Sequence, residues 1–256
     1  MRVTSLILWS AATALSGFLS FGHPAQAAEV KVLTSVALTS ALDELAPIFE
    51  KETGNKLMIE YSLIATLRKR ILDGETGDII MLSRPVMEEL QKQGKFAGDI
   101  VNVAGTPVSI VARAGAPKPD IGSVDALKRT LLNARSIVYA DPAKGGASGV
   151  YFAKVVDQLG LTDELKAKTI LVPGAQAPEL VAKGEAELGV AQGSEIIPVA
   201  GAEVLGPLPG NLGSVTLFTA GIAAASTAPD AAKAFIKFIT GQDAAPVLKA
   251  KGFEPG

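Results

Sequence analysis

Short apolar runs alternate with amphipathic stretches along most of this chain. Residues 30–33 read as a strand that passes through Thr34 and Ser35 into a helix. That helix places Leu42, Leu45, Ile48 and Phe49 on one face, with Thr39 or Ser40 as its cap and Gly54 as its stop. The pattern then predicts a strand at 57–61, a helix at 66–72 and a continuous apolar strand at 78–82, of the kind buried on both faces. Ser83-Arg84-Pro85 opens the next helix, with Pro85 in its first turn. Further strands are expected at 108–112, 136–140, 170–172 and 187–191, and extended segments at 204–205 and 216–225. The helices between and after them fall at 123–133 (capped by Ser123), 150–159, 178–183, 229–240 and 243–251. Strands alternating with helices of this length predict an α/β fold of βαβ units with mostly parallel sheets flanked by helices.

Candidate boundaries fall at 102–107 and 206–213. If both are hinges, residues 28–107 with 206–256 form one lobe and 108–205 the other. Two crossing segments then leave a ligand cleft between the lobes.

The first residues change the picture of where the protein works. Arg2 is followed by an apolar segment from Leu6 to Leu19 and by Ala25-Gln26-Ala27, a small-residue cleavage pattern. Residues 1–27 are therefore expected to be a signal peptide, which places the mature protein in the periplasm. A membrane anchor is the alternative, but the apolar stretch is short for a span. Trp9 and His23, the only Trp and His, would leave with the leader, and the chain has no Cys. The mature chain then has no Cys nucleophile, no Ser-His-acid triad, no disulfide and no His- or Cys-ligated metal. No metal or other cofactor is expected, nor anchoring through an N-terminal lipidated Cys. With Arg2 gone, 23 basic residues face 26 acidic ones, a net charge of −3. No basic stripe with aromatic residues points to nucleic acid. A monomer is the expectation.

Four loops at strand ends could carry chemistry. In the first, the Thr34 and Ser35 hydroxyls and the N–H groups around Ala37 could hold an anion, although plain capping would explain the same residues. The second bears Ser83 and Arg84, where a bidentate clamp on a carboxylate would sit; a surface Arg is the alternative. Arg68 and Arg70 lie on the preceding helix, where one could line the cleft. The third is the small-residue stretch 141–149, in which Ser148 and Gly149 adjoin a helix start; it lacks the order of a phosphate-binding P-loop. In the fourth, Gln192 ends a strand and can donate to a carboxylate, with Glu195 close behind.

Ser35-Val-Ala-Leu-Thr-Ser-Ala, Gly77-Asp-Ile-Ile-Met-Leu-Ser, Asp141-Pro with Ser148-Gly-Val-Tyr, and Gly184-Glu-Ala-Glu-Leu-Gly-Val-Ala-Gln-Gly-Ser occur in an order and spacing that resemble the type 2 periplasmic solute-binding proteins. Within these, the chain resembles the molybdate-binding-protein-like group over the whole mature length. The resemblance implies a two-lobed fold and delivery of a small anion to an ABC-type transporter. It also implies that the ligand residues differ. Where molybdate binders of this group place a first-loop Ser, a second-loop Ser and a fourth-loop Tyr, this chain has Ala37, Ala65 and Gln192. Arg84, Ser148 and Gln192 instead suit an organic carboxylate. Ala114-Gly-Ala-Pro-Lys-Pro-Asp, Val204-Leu-Gly-Pro-Leu-Pro and Thr219-Ala-Gly-Ile resemble a branch that includes aconitate isomerase. That branch implies an alternative, an allylic proton shift in a tricarboxylate without a cofactor, and a molybdate or other oxyanion binder is a further alternative. Glu60, Tyr151 and Glu195 are the candidate bases.

Overall fold

A computed structural model describes residues 27–255. The expected leader, with Trp9 and His23, lies outside the described residues apart from Ala27. The chain opens with β1 (Glu29–Ser35), α1 (Thr39–Thr53), β2 (Lys56–Ser62), α2 (Ile64–Leu72), β3 (Ile79–Ser83) and α3 (Arg84–Lys92). The long β4 (Val101–Arg113) leads to α4 (Val124–Asn133), β5 (Ile137–Ala140), α5 (Ala147–Gln158), α6 (Thr162–Lys166), β6 (Thr169–Val172), α7 (Ala177–Lys183) and β7 (Leu188–Gln192). The short α8 (Gly193–Ile196), β8 (Ala202–Pro207), β9 (Val215–Ile222), α9 (Pro229–Ile239), α10 (Ala245–Ala250) and β10 (Glu254–Pro255) complete it.

The strands follow the order β2-β1-β3-β9-β4-β7-β5-β6, with β8 and β10 also paired to β4. Strands joined through helices run parallel: β1 pairs with β2 and β3 on either side, and β5 pairs with β6 and β7. The remaining five pairings are antiparallel, so the sheet is more mixed than expected. The cause is topological: β9 returns from the second half of the chain and lies between β3 and β4, running opposite to both, and β7, β8 and β10 also run opposite to β4. β4 also runs straight through 102–107, which has no loop structure. Its first half pairs with β9 and its second half with β7 and β8.

The apolar side chains collect into separate cores. One draws on Val32, Leu42, Leu45, Phe49, Ile79, Met81 and, from the far end of the chain, Phe218, Phe235 and Phe253. Phe49 and Phe235 meet edge to face at 5.0 Å. A second lies over β5 and β7 and contains Leu127, Ile137, Phe152, Leu188 and Leu208, with Tyr139 and Phe152 edge to face at 5.1 Å. A third packs α7 on the other face of the same strands through Val111, Val138 and Val181. Each fully buried large apolar side chain contributes about 1.5–3 kcal/mol.

Several local expectations need correction. Neither Thr39 nor Ser40 caps α1. A 3-10 turn, Val36–Leu38, comes first, and Ser35 Oγ accepts the Ala37 N–H at 3.3 Å while Thr39 Oγ1 donates back to Val36 O at 2.8 Å. Ile48 is 40% exposed, since the buried stripe of α1 is Ala41, Leu42, Leu45, Ala46 and Phe49. α5 begins at Ala147 and not Val150, which takes Ser148 and Gly149 into the helix. α6 and α8 are too short for periodicity to reveal. The Ser123 cap is present, its hydroxyl accepting the Ala126 N–H at 3.1 Å.

Candidate functional site

A cleft of about 710 Å³ opens between the first core and the second. One wall comes from the first turns of α2 and α3, with Ala65, Arg68, Ser83, Arg84 and Glu88. The facing wall is Gly145 and one side of α5: Ala147, Val150, Tyr151 and Lys154. Residues 214–217, where the chain crosses into β9, line it between the walls.

The Val36–Leu38 turn touches α8. Gly145, with φ +78, faces Ala65 so closely that a Cβ at 145 would lie 2.2 Å from the Ala65 Cβ. Gln192 Nε2 donates to Thr216 Oγ1 at 3.0 Å, and Thr216 lines the cleft. Gln192 is buried, and its Oε1 has no hydrogen-bond partner among the described residues. Turning the amide over would let Thr216 donate to Oε1 and free Nε2 for an anion.

The expected ligand residues divide. Ala65, Ser83 and Arg84 lie in the cleft wall, and Gln192 stands behind Thr216. Ser83 precedes α3 without a side-chain capping bond, so its hydroxyl is not used there. Arg84 is both a wall residue and an exposed one. Its Nε donates to Glu88 Oε1 at 2.7 Å and its Nη1 to Asn102 Oδ1 at 2.9 Å. Thr34 and Ser35 are not in the wall. Thr34 is buried and donates to Met81 O at 3.1 Å, and the Ser35 hydroxyl holds the turn that buries Ala37.

Ser148 is buried in the first turn of α5, away from the wall. Gly149 has a packing role, with no room for a Cβ between α5 and the Ala140 carbonyl. Arg68 lines the cleft and grips both Glu89 carboxylate oxygens, which hold its guanidinium above its usual pKa. Arg70 instead pairs with Glu60 and Glu75.

Lys154 and Thr216 did not stand out in the sequence. For Lys154 the signal was present: 147, 150, 151 and 154 are spaced i, i+3, i+4, i+7, one helix face. Thr216 carried no such signal.

Among the candidate bases, Glu60 is committed to Arg70, and Tyr151 lies in the wall with its hydroxyl donating to Leu212 O at 3.2 Å. Glu195 is enclosed by protein atoms while keeping partial contact with solvent, and its Oε2 accepts the Gln192 N–H at 3.0 Å. Burial pushes its carboxyl up to about 7, against the smaller opposing effect of that hydrogen bond. A carboxyl whose folded pKa lies above its unfolded value stabilises the fold when protonated. That contribution is complete below 4.5 and is lost as pH rises toward about 7. Glu195→Gln is therefore expected to flatten the fall in stability across this window. Urea denaturation at pH 5 and pH 7.5 measures it, and an equal fall in both proteins would rule out Glu195 as the source.

Two α/β cores facing across a cleft and joined by antiparallel crossing strands define the periplasmic-binding-protein fold. The molybdate-binding protein of Azotobacter vinelandii superposes with a TM-score of 0.74 at 24% identity, over 89% of this chain and 99% of that one. The sequence description "Bacterial extracellular solute-binding protein" matches residues 30–254, and the chain belongs to that family. An aconitate isomerase from Pseudomonas sp is 31% identical over 94% of this chain and 95% of its own. The molybdate-binding protein ModA of Azotobacter vinelandii is 30% identical over 90% of this chain and 91% of its own.

Proposed function

We propose that this is a periplasmic solute-binding protein that closes over a small organic acid and presents it, as a monomer, to an ABC-type permease. The observation that carries this reading is the cleft. Arg68, Arg84 and Lys154 face it from both sides, and Glu88 is the one carboxylate in its wall among the described residues. Its volume falls within the range of small-molecule sites, about 300–1,000 Å³, and exceeds what a single tetrahedral oxyanion needs. Ala37, Ala65 and Gln192 also replace the hydroxyls that the resemblance assigns to molybdate binders. Ser83, the Gln192 amide and the guanidiniums supply donors that suit carboxylates.

A second reading follows from the aconitate isomerase relative, which is similar over nearly the whole chain. In that reading a base in the cleft removes an allylic proton and returns it to the other end of the three-carbon system as the double bond shifts. Tyr151 is in the wall, and Glu195 has a carboxyl poised near neutral pH.

Thermal denaturation of the leaderless protein with citrate, cis- and trans-aconitate, succinate, molybdate and tungstate tests the first reading. A bound acid at one hundred times its Kd adds about 2.7 kcal/mol, or roughly 5–10 °C in Tm for a chain of this size. A shift with molybdate or tungstate alone overturns the carboxylate reading. Incubation with trans-aconitate, followed by proton NMR for the cis isomer, decides the second.

A further inference from the structure

We propose that Lys154 reads a second negative charge on the ligand, so that the cleft selects di- and tricarboxylates over monocarboxylates. This rests on the carboxylate reading above and adds the charge number of the acid.

Three observations converge on Lys154. The first is the state of the three cations in the wall. Arg68 is held by both oxygens of Glu89, and Arg84 by Glu88 and the Asn102 amide, so each guanidinium already has a carboxylate partner in the protein while Arg84 keeps N–H groups for a ligand. Lys154 takes part in no ion pair among the described residues. It is the wall cation whose charge a ligand would have to balance.

The second is placement. The α5 face that lines the cleft starts at Ala147, where Gly146 offers no side-chain cap and the first N–H groups of the helix are free of intrahelical partners. Lys154 lies seven residues further on, about 10 Å along the axis. Helical side chains lean back toward the N-terminus, so the ammonium can close part of that distance. The two ends of this face thus offer anion partners at a separation that suits the carboxylates of one small di- or tricarboxylic acid. A lone carboxylate could use only one of them.

The third is the opposite face of the same helix. Ser148, Gly149, Phe152, Val155 and Val156 are buried, which fixes the rotation of α5 and keeps Lys154 on the cleft side. An ammonium on a flexible stem acts as a point charge and reads charge number, where a planar guanidinium fork reads carboxylate geometry.

The test is titration calorimetry of the leaderless protein with citrate, succinate and butyrate, the last two matched in carbon number. The wild type is expected to bind citrate and succinate more tightly than butyrate, with a preference that shrinks as salt rises. Lys154→Gln is expected to weaken citrate and succinate about five- to tenfold and to leave butyrate unchanged. Lys154→Arg is expected to restore most of the difference. Lys154 is exposed, so the unliganded Tm of both variants should match the wild type. An unchanged citrate-to-butyrate ratio in Lys154→Gln overturns this inference and leaves the carboxylate reading standing. Failure of the wild type to bind any of the three acids overturns that reading and this inference with it.

Discussion

Asp78→Ala is expected to lower the unfolding free energy by about 3–5 kcal/mol, because it orphans several buried donors at once. Asp78 is buried immediately before β3. Its Oδ2 accepts the Lys31 N–H of β1 at 2.8 Å, and its Oδ1 accepts from Ser226 Oγ at 2.8 Å, the Thr227 N–H at 2.8 Å and the Ala228 N–H at 3.0 Å. Ala228 is the residue before α9, so the carboxylate also sits at the positive end of that helix. It ties β1 to a segment that lies 150 residues after Asp78 itself. An alanine would leave backbone N–H groups from both segments without a partner.

The charge makes the effect pH-dependent. Burial pushes the Asp78 pKa up, but the four hydrogen bonds outweigh it and hold the carboxyl below its ordinary value of 3.8. A carboxyl with a lowered folded pKa stabilises the fold above its unfolded pKa, and the contribution disappears as pH falls through the folded pKa. The wild type should therefore lose stability below about pH 4. Asp78→Asn should start lower at pH 7 and fall less steeply in acid. Urea midpoints at pH 7 and pH 3 measure both effects. A wild-type midpoint for Asp78→Ala at pH 7 would show that Asp78 does not hold these segments together.

Gly149→Ala is expected to cost about 3 kcal/mol or more, a large effect for adding one methyl group. The new Cβ would lie 1.9 Å from the Ala140 carbonyl oxygen and 2.7 Å from its carbon. Both are backbone atoms of β5 and cannot swing aside as a flexible side chain would. α5 would have to lift off the strand, carrying Tyr151 and Lys154 with it and widening the cleft. Denaturant unfolding gives the stability change, and ligand titration of the folded variant gives the loss of affinity. A Gly149→Ala protein of wild-type stability would mean that α5 is not pinned to β5 at this point.

The α/β class and most elements were legible because hydrophobic period and stop residues agree locally. The run 78–82 reads as a strand buried on both faces, and β3 has that pattern. The Ser123 cap was visible for the same reason. Partners far along the chain were not legible. Nothing in residues 102–107 says that they continue a strand, because the partner that makes them one is β9, more than a hundred residues later. That Ser148 and Gly149 belong to the first turn of α5 was not legible either, because small polar and Gly residues serve both loops and close helix–strand packing. The sequence also does not show that the Thr34 hydroxyl donates to the Met81 carbonyl or that the Ser35 Oγ accepts the Ala37 N–H. Of the residues that line the cleft, Ser83 and Arg84 stood out from their place after a strand and Ala65 through the family resemblance. Lys154 was missed because it lies two helical turns from any loop.

The position of β4 also bears on the order in which the protein can assemble. The residues of the second core, from Val108 to Leu212, form a nearly continuous stretch of chain and can collapse without either end. The first core cannot. Until β9 arrives, β3 has an open edge, and the hollow around Phe49 lacks Phe235. Its closure requires long-range pairings, which form slowly. Synthesis or export from the N-terminus thus delivers first the half that must wait longest. A chain cut short before Val215 would leave an apolar strand edge exposed and prone to self-association.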